Sequence, residues 1–395
     1  MSLFGRVFGS DMQASRDAFS GMEFISGRSA AGKTVNTKSA KTVAVVRDCL
    51  QVLHQSIAGL SFAVFEKTGD GKQKQPDHPI AKLLENPNRE ETAFEFIATM
   101  VDDLATGGDF YADISGLAGG LSGEIWRMPP DQVTVERLPD HDRRYKFRDE
   151  RGIERILLAE DVWHIRVPPI IDGLNGTSAI LEGKEVIGAA LAIQDYSSSF
   201  FKNDATPPLV LKMEKHFGDE DSKKNFLAAF KKWATGANKH NPVILEHGIE
   251  AQQLSIAPEQ AQFIETRKEV DVAITRLWHI PPHKVGILDR ATFSNIEQQS
   301  LEFVIDTLRP WLILIENSIQ KFLMPMPERF VFEFNVASLL RGDLKARYEA
   351  YAIGRQNGFI SVNEIRRLEN LNGIGADGDR FMEPLNMAPV NNGGA

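Results

Sequence analysis

The chain has 395 residues, of which 42% are hydrophobic and 25% are charged, and its formal net charge is −9. This size allows a large core or two to three domains, and the acidic balance argues against a protein whose main task is to neutralise nucleic-acid phosphates. Cys49 is the single cysteine, which excludes an intramolecular disulfide and a thiolate metal cluster.

The N-terminal residues 1–38 are rich in Gly, Ser, Ala and Lys and show no apolar periodicity, so we predict a flexible arm. The segment lacks the apolar core of a signal peptide. No uncharged apolar run approaches the roughly 18 residues of a membrane span, and WLILI at 311–315 is bracketed by Arg309 and Glu316. These patterns favour a soluble, intracellular protein.

The first half of the chain predicts helices mixed with short strands. Apolar residues spaced three and four apart from Val43 to Leu60 predict a helix that begins near Ser39, and a strand at 61–67 follows. Another helix is predicted at about 91–105. Short segments of alternating polarity then predict strands at 110–115, 124–128, 132–138, 145–149, 155–159 and 162–167. Together these elements indicate an α+β fold with an antiparallel sheet.

The second half is mainly helical. Its patterns predict helices ending near 202 and at 219–236, 258–278, 296–323, 343–356 and 361–370, strands at 207–213 and 329–336, and a hairpin at 241–257. The helices at 258–278 and 296–323 are joined by HIPPHKVGILDRATFSN, residues 279–295, which is about twice the usual length of such a connection. Pro281 and Pro282 force the chain out of helix at its start, and Pro310 predicts a kink in the following helix.

The segment GRSAAGKT, residues 27–34, matches the phosphate-binding loop pattern, with Gly27, Gly32, Lys33 and Thr34 in the required places. The functional motif needs a buried strand before it and a helix after it. Because VNTKSAK after it is a poor helix start, we favour a chance match within the arm. A nucleotide-binding enzyme that uses Gly27–Thr34 stays open as the alternative.

Other candidate chemistry is weaker. His279 and His283 have the spacing of metal ligands on a helix, but the prolines between them forbid that helix. No carboxylate or histidine lies beside a plausible nucleophile with an orienting partner. We therefore predict no catalytic, cofactor-binding or metal-binding residues.

Taken in order, several segments resemble the portal proteins of tailed double-stranded DNA phages, in the long-tailed branch of that family. They are HPIAKLLENPNREETAFEF, LATGGDFYADI, EIWRMPPDQVTVE, DGLNGTSAILEG, FFKNDATPPLVL, the run from AQFIETRKEV through HIPPHKVGILDRATFSN to RPW, and LLRGDLKARYEAYAIGRQNGFISVNEIRRLENL. The resemblance covers about residues 40–387. The short chain and small C-terminal part suit the portals of phage-like gene transfer agents, although a phage or prophage origin stays open.

The resemblance implies a ring-forming portal fold with a wing of mixed helices and antiparallel strands, a helical stem, a small α/β clip and a reduced helical crown. The implied boundaries are an arm at 1–38, wing at 39–173, stem helix at 174–203, clip at 204–257, second stem helix at 258–279, tunnel loop at 280–295, wing at 296–340, and crown and tail at 341–395.

The implied function is a non-enzymatic, dodecameric ring at one capsid vertex, which conducts double-stranded DNA during packaging and ejection. Its implied partners are further copies of the chain, the DNA, the large terminase, the head–tail adaptor and the major capsid protein, with no membrane. It would be found in the bacterial cytoplasm during assembly and then at the portal vertex of the particle. His283, Lys284, Asp289 and Arg290 are the candidates for lining the channel. A second alternative is a structural adaptor or scaffold ring without a DNA conduit.

Overall fold

The structure is a computed structural model that describes residues 26–69, 71–117, 123–149, 151–170, 172–202, 209–212, 219–234, 250–253, 259–287, 299, 301–336, 344–369 and 371–382. These residues form two compact units. The first contains the described residues of Asp48–Ala179 and Trp278–Ala395, and the second contains those of Ser26–Arg47 and Ile180–Leu277.

The strands follow one another along the described chain as β1 (Ser26–Arg28), β2 (Thr34–Asn36), β3 (Phe62–Thr68), β4 (Gly71–Lys74), β5 (Asp109–Asp113), β6 (Trp126–Met128), β7 (Val133–Arg137), β8 (Arg143–Arg148), β9 (Glu154–Leu158), β10 (Val162–Arg166), β11 (Leu209–Lys212), β12 (Glu250–Gln253) and β13 (Phe330–Phe334). The longer α-helices are α1 (Ala44–Ala58), α2 (Pro79–Glu85), α3 (Ala93–Gly107), α4 (Lys184–Lys202), α5 (Glu220–Ala234), α6 (Glu259–Arg276), α7 (Arg309–Phe322), α8 (Leu344–Gln356) and α9 (Val362–Leu368). This mixture confirms the predicted α+β class.

The first unit contains three separate antiparallel sheets among its described residues, in the orders β4–β3–β13, β10–β5–β6 and β7–β8–β9. The expectation of one continuous antiparallel sheet was therefore wrong. Alternating polarity locates a strand but does not identify its partner, and β3 pairs with β13, which lies more than half the chain away.

The core of the first unit is organised by α3 and the buried strands β5 and β10. Thr92 caps α3 through a reciprocal pair of hydrogen bonds with Glu95, and Gly108, at φ 86°, ends the helix in the left-handed conformation. The rings of Phe96 and Trp163 both meet Phe110 edge-to-face. The helix α7 packs against β10 and β13, and the indole N–H of Trp163 donates to Ser318 Oγ on α7 over 2.8 Å.

The sheet β7–β8–β9 has one buried and one exposed face. Its buried face packs in a cluster that includes Val133, Tyr145 and Leu157. Because successive side chains along a strand point to opposite faces, the neighbouring residues Ile156 and Leu158 lie on the other face. They are 57% and 48% exposed.

The second unit begins with an antiparallel hairpin of β1 and β2, which corrects the prediction of a flexible arm for the later part of 1–38. Its strands of three residues are too short to give an alternating pattern. Residues 1–25 lie outside the described part of the chain. Helices α4 and α6 pack together, with the rings of Tyr196 and Phe263 5.3 Å apart.

The strand β12 of the second unit pairs antiparallel with β11. We had predicted a hairpin within 241–257, but the described part of that segment pairs with a strand some 40 residues earlier in the sequence. Residues 235–249 lie outside the described residues. Within the part of the chain that the structure covers, every helix is too short or too polar to span a lipid bilayer.

Candidate functional site

The long connection predicted at 279–295 starts from a buried anchor in the first unit. Trp278 is 2% exposed, and its indole N–H donates to the carbonyl of Ala105 in α3 over 2.8 Å. His279 then adopts φ 54°, in the left-handed region, which turns the chain away from the preceding helical direction. Ile280 is again 2% exposed. We call residues 278–287, where the connection begins, its first foot. The buried residues Trp278 and Ile280 fix this foot in the core.

We call residues 301–308, which lie after the connection and lead directly into α7, its second foot. Residues Phe303–Leu308 form a π-helical turn, in which the N–H of Arg309 donates to the carbonyl of Val304, five residues earlier. Pro310 follows at the start of α7 and has no N–H to donate. The sequence predicts a proline kink inside this helix, and the structure places a π turn directly before the proline. Both a proline and a π turn interrupt the regular hydrogen-bond ladder of an α-helix.

The two feet are joined directly by a hydrogen bond. The hydroxyl of Thr307, in the π turn, donates to the backbone carbonyl of His279. Thr307 is 2% exposed and His279 is exposed, so the bond is partly buried. Residues 288–298, which connect the two feet in sequence, lie outside the described residues.

His283 and Lys284 lie in a 3₁₀ turn, Pro282–Val285, at the first foot, and both are half-buried. The ammonium of Lys284 lies 5.1 Å from the centroid of the Phe303 ring in the π turn, within cation–π range. The Nε2 atom of His283 is buried and has no hydrogen-bond partner among the described residues. Burial, and secondly the charge of Lys284, lower the pKa of His283, so its imidazole is neutral at neutral pH.

The predicted set of four channel residues is thus only half described. The structure places His283 and Lys284 at the first foot, and Lys284 contacts Phe303 of the second foot. Asp289 and Arg290 lie outside the described residues. The described part of the chain contains no group of three histidine, cysteine or acidic side chains that could hold a metal ion.

The phosphate-loop pattern lies in the β1–β2 hairpin of the second unit. The backbone N–H of Ala30 donates to Glu185 Oε2 on α4 over 2.8 Å, and Lys33 pairs with Asp195 on the same helix. The residues that follow Lys33 form the strand β2 instead of the helix that the motif needs. Two carboxylates of α4 occupy the donors that would otherwise meet a phosphate. The geometry therefore argues for a structural hairpin and against nucleotide binding.

A buried polar network in the first unit went unnoticed in the sequence. Asp109 Oδ1 lies 2.8 Å from Nε2 of His164, and Tyr145 Oη lies 3.1 Å from its Nδ1. Burial lowers the pKa of His164, while the Asp109 carboxylate opposes that shift. In the neutral tautomer that fits, Nε2–H donates to Asp109 and Nδ1 accepts from Tyr145.

This network has a structural use. The carboxylate of Asp109 also accepts the backbone N–H of Gly176, over 2.9 and 3.0 Å. A Cβ atom at Gly176 would lie 2.1 Å from the carbonyl oxygen of Gly108, so the segment approaches the end of α3 too closely for any other residue. The side chains of the network are all buried, so a substrate cannot reach them. The network therefore indicates a structural role, in which it holds the turn at Gly176, called the corner below, against the end of α3. Sequence alone shows His164 in an alternating strand, but not the register that brings Asp109 beside it.

Comparison with known proteins matches most of the chain. A family model described as phage portal protein matches residues 44–370. The portal protein of Enterobacteria phage HK97 is 28% identical over 365 residues, which cover 90% of this chain and 85% of that protein. The solved virion of a native gene transfer agent particle contains a chain that is similar with a TM-score of 0.61 and 18% identity, covering 89% of this chain and 98% of that one. A chain in the neck of the native particle, computed with C12 symmetry, gives a TM-score of 0.57 at 18% identity and covers 84% and 92%.

Proposed function

This chain belongs to the phage portal protein family, and from that premise we propose that it forms a dodecameric ring at one vertex of a phage or phage-like capsid. In this proposal the ring conducts double-stranded DNA during packaging and ejection, and it is the docking platform for the large terminase and the head–tail adaptor. The observation that carries the proposal is the family match over residues 44–370. The C12 symmetry used for the similar neck structure supports the ring number.

We propose that the segment between the two feet projects into the channel. The buried anchor at Trp278 and the bond from Thr307 to His279 support this, because they hold both ends of the segment on the folded unit. His283 and Lys284 would then lie where the segment leaves the unit, and Asp289 and Arg290 further along it. This near-balanced set would give only weak contacts with the phosphates, so DNA could slide in either direction.

The division into two units supports the proposed portal regions. The second unit includes the described residues of Ile180–Leu277, and this range contains most of the proposed stem helices, 174–203 and 258–279, and all of the proposed clip, 204–257. The first unit contains the described parts of the proposed wing, 39–173 and 296–340, except for the few residues before Asp48. It also contains the described part of the proposed crown at 341–395.

We also propose that the chain has no enzymatic role and that the terminase supplies ATP hydrolysis. The hairpin geometry supports this, because the ammonium of Lys33 pairs with Asp195 and the N–H of Ala30 donates to Glu185, both in the same unit. The ring would form in the bacterial cytoplasm, join the major capsid protein during assembly and remain at the portal vertex of the particle.

Electron microscopy of the purified full chain tests this function. The proposal predicts closed rings with a central hole wide enough for duplex DNA. Rings without such a hole would support an adaptor or scaffold instead. A chain that stays monomeric at every concentration, or that hydrolyses ATP in a manner abolished by Lys33→Ala, would overturn the proposal.

A further inference from the structure

The helix that forms the second foot of the connection is apolar on two sides. Its inner face is buried, as Val304, Leu308 and Leu312 show. Its outer face carries a second apolar row, which we call the helix stripe: Leu301, Ile305 and Ile313, which are 42%, 52% and 41% exposed. Their spacings of four and eight residues place them along one side. Single exposed apolar residues need no explanation, but a row on a helix that is already buried on its other side indicates a second partner.

The sheet β7–β8–β9 also exposes apolar residues on its outer side. We define the sheet face as the exposed side of β8 and β9, where Ile156 and Leu158 lie among the basic residues Arg144, Lys146 and Arg148. The register supports this grouping, because Lys146 pairs with Ile156 and Arg144 pairs with Leu158. Ile156 and Leu158 are about half exposed. Apolar residues on a sheet are normally covered by another layer of secondary structure.

The two surfaces match in charge. Two acidic residues, Glu302 and Asp306, adjoin the helix stripe against one basic residue, Arg309. The sheet face has three basic side chains, and two acidic residues beside it, Glu136 of β7 and Glu154 of β9, pair with them. Exposed ion pairs contribute little affinity but select the partner and its register. The apolar residues would therefore supply most of the binding free energy. The charges would favour the pairing of a helix stripe with a sheet face over the pairing of two helix stripes or of two sheet faces.

The two surfaces also match in length. The stripe from Leu301 to Ile313 spans about 18 Å at about 1.5 Å per residue. From its first to its last Cα, the six-residue strand β8 spans about 17 Å at about 3.3 Å per residue. Both surfaces lie in the first unit and both are exposed, so they do not cover each other within one chain.

We infer that the helix stripe of one subunit packs on the sheet face of a neighbouring copy of this chain. This inference rests on the proposed ring, since a closed ring of identical subunits needs two different, complementary surfaces on each copy. The contact is a helix-on-sheet layer formed between subunits, centred on Ile305 of one copy and Ile156 of the next.

Cysteine cross-linking tests this contact. The native Cys49 does not interfere, because it is fully buried, and burial together with Asp48 raises the pKa of its thiol to about 12. We expect an equimolar mixture of Ile156→Cys and Ile305→Cys chains to form disulfide-linked dimers after assembly and oxidation. Each variant alone should stay monomeric on a denaturing, non-reducing gel. The control mixture pairs Ile156→Cys with Phe94→Cys, an apolar residue that is 46% exposed outside both surfaces, and should give no dimers.

A charge pair gives a second, independent readout. Ile305→Glu should lower the fraction of chain in rings several-fold at fixed concentration, Phe94→Glu should leave it unchanged, and Ile156→Lys should restore it in combination with Ile305→Glu. Rings that form without disulfide-linked dimers between the Ile156→Cys and Ile305→Cys chains, or with equal dimers in the Phe94→Cys control, overturn the assigned contact and leave the portal ring standing. A chain that never forms rings overturns both proposals.

Discussion

The hydroxyl of Thr307 donates to the backbone carbonyl of His279, so one partly buried hydrogen bond joins the two ends of the segment proposed to enter the channel. His279 is in the left-handed conformation, and Thr307 is in a π turn. Neither conformation is a favoured one for these residue types, and conformations of this kind persist only where surrounding contacts determine them. The contact between them therefore fixes where the segment leaves and re-enters the fold.

We predict that Thr307→Val weakens this junction. Valine keeps the shape of the side chain but removes the donor to the His279 carbonyl, and the loss of this partly buried hydrogen bond costs about 0.5–1.5 kcal/mol. The measurement is the free energy of unfolding, together with hydrogen exchange of the amides of residues 280–287. Thr307→Ser keeps the hydroxyl and is the matched control, with a smaller loss. Equal losses for the two variants would show that the methyl group, and not the hydrogen bond, is what matters.

Trp278→Phe should destabilise the first foot. The change removes the N–H that donates to Ala105, leaving that carbonyl unsatisfied, and it opens space in a buried site. We expect a loss of about 1–3 kcal/mol with faster proteolysis near residues 279–287. The control is Trp311→Phe in α7, where the tryptophan is only half-buried. A larger effect at Trp311 than at Trp278 would contradict the assigned anchor.

Features formed by contacts between residues close in the sequence could be predicted, whereas features formed by contacts between distant residues could not. The helix α3 and its end at Gly108 follow from local signals, the capping pair of Thr92 with Glu95 and a glycine stop, and the prediction of a helix at 91–105 was confirmed within two residues at each end. The family resemblance was confirmed by the comparisons.

Features made by distant contacts were missed. The β1–β2 hairpin is secured by Glu185 and Asp195, more than 150 residues away, so its composition alone indicated a flexible arm. The corner at Gly176 depends on the register between β5 and β10, which places Asp109 beside His164 and which alternating polarity cannot give. The π turn before Pro310 contains Thr307, whose hydroxyl donates to His279, 28 residues earlier. Local propensity does not predict it.

Stability should fall as the pH drops below about 6.5, partly because of His164. Burial lowers the pKa of His164 from its ordinary value near 6.5, so the unfolded chain binds its proton more readily than the folded chain. The contribution of His164 to the free energy of unfolding is complete at pH values above its pKa in the unfolded chain. It is lost as the pH falls from there through its pKa in the folded chain.

The variant His164→Gln isolates this contribution. Glutamine can still donate to Asp109 but does not titrate, so the free energy of unfolding should change less steeply between about pH 7.5 and about pH 5 than in the native chain. His78 and His283, whose pKa values are also lowered by burial, would keep part of the slope. Urea titrations at several pH values measure how the free energy of unfolding depends on pH. An unchanged slope would show that His164 is not the group responsible.

Lys33→Ala should leave nucleotide binding unchanged, because we expect none in the native chain. Its partner Asp195 is mostly exposed, so loss of the ion pair should change the free energy of unfolding by about 1 kcal/mol or less. Asp195→Asn, which removes the other partner, should behave alike. Isothermal calorimetry with magnesium and ATP decides the point, and saturable binding that disappears in Lys33→Ala would restore the phosphate-loop hypothesis.

The central claim is that the segment between the two feet lies in the bore of a ring. The most direct measurement compares single-particle reconstructions of the full chain with those of a variant lacking residues 289–295, in which Asp289 and Arg290 are removed and Trp278 and Thr307 are kept. We predict that both form rings and that the difference density lies inside the central channel. Difference density on the outside of the ring, or tucked into the fold of a single subunit, would contradict the account.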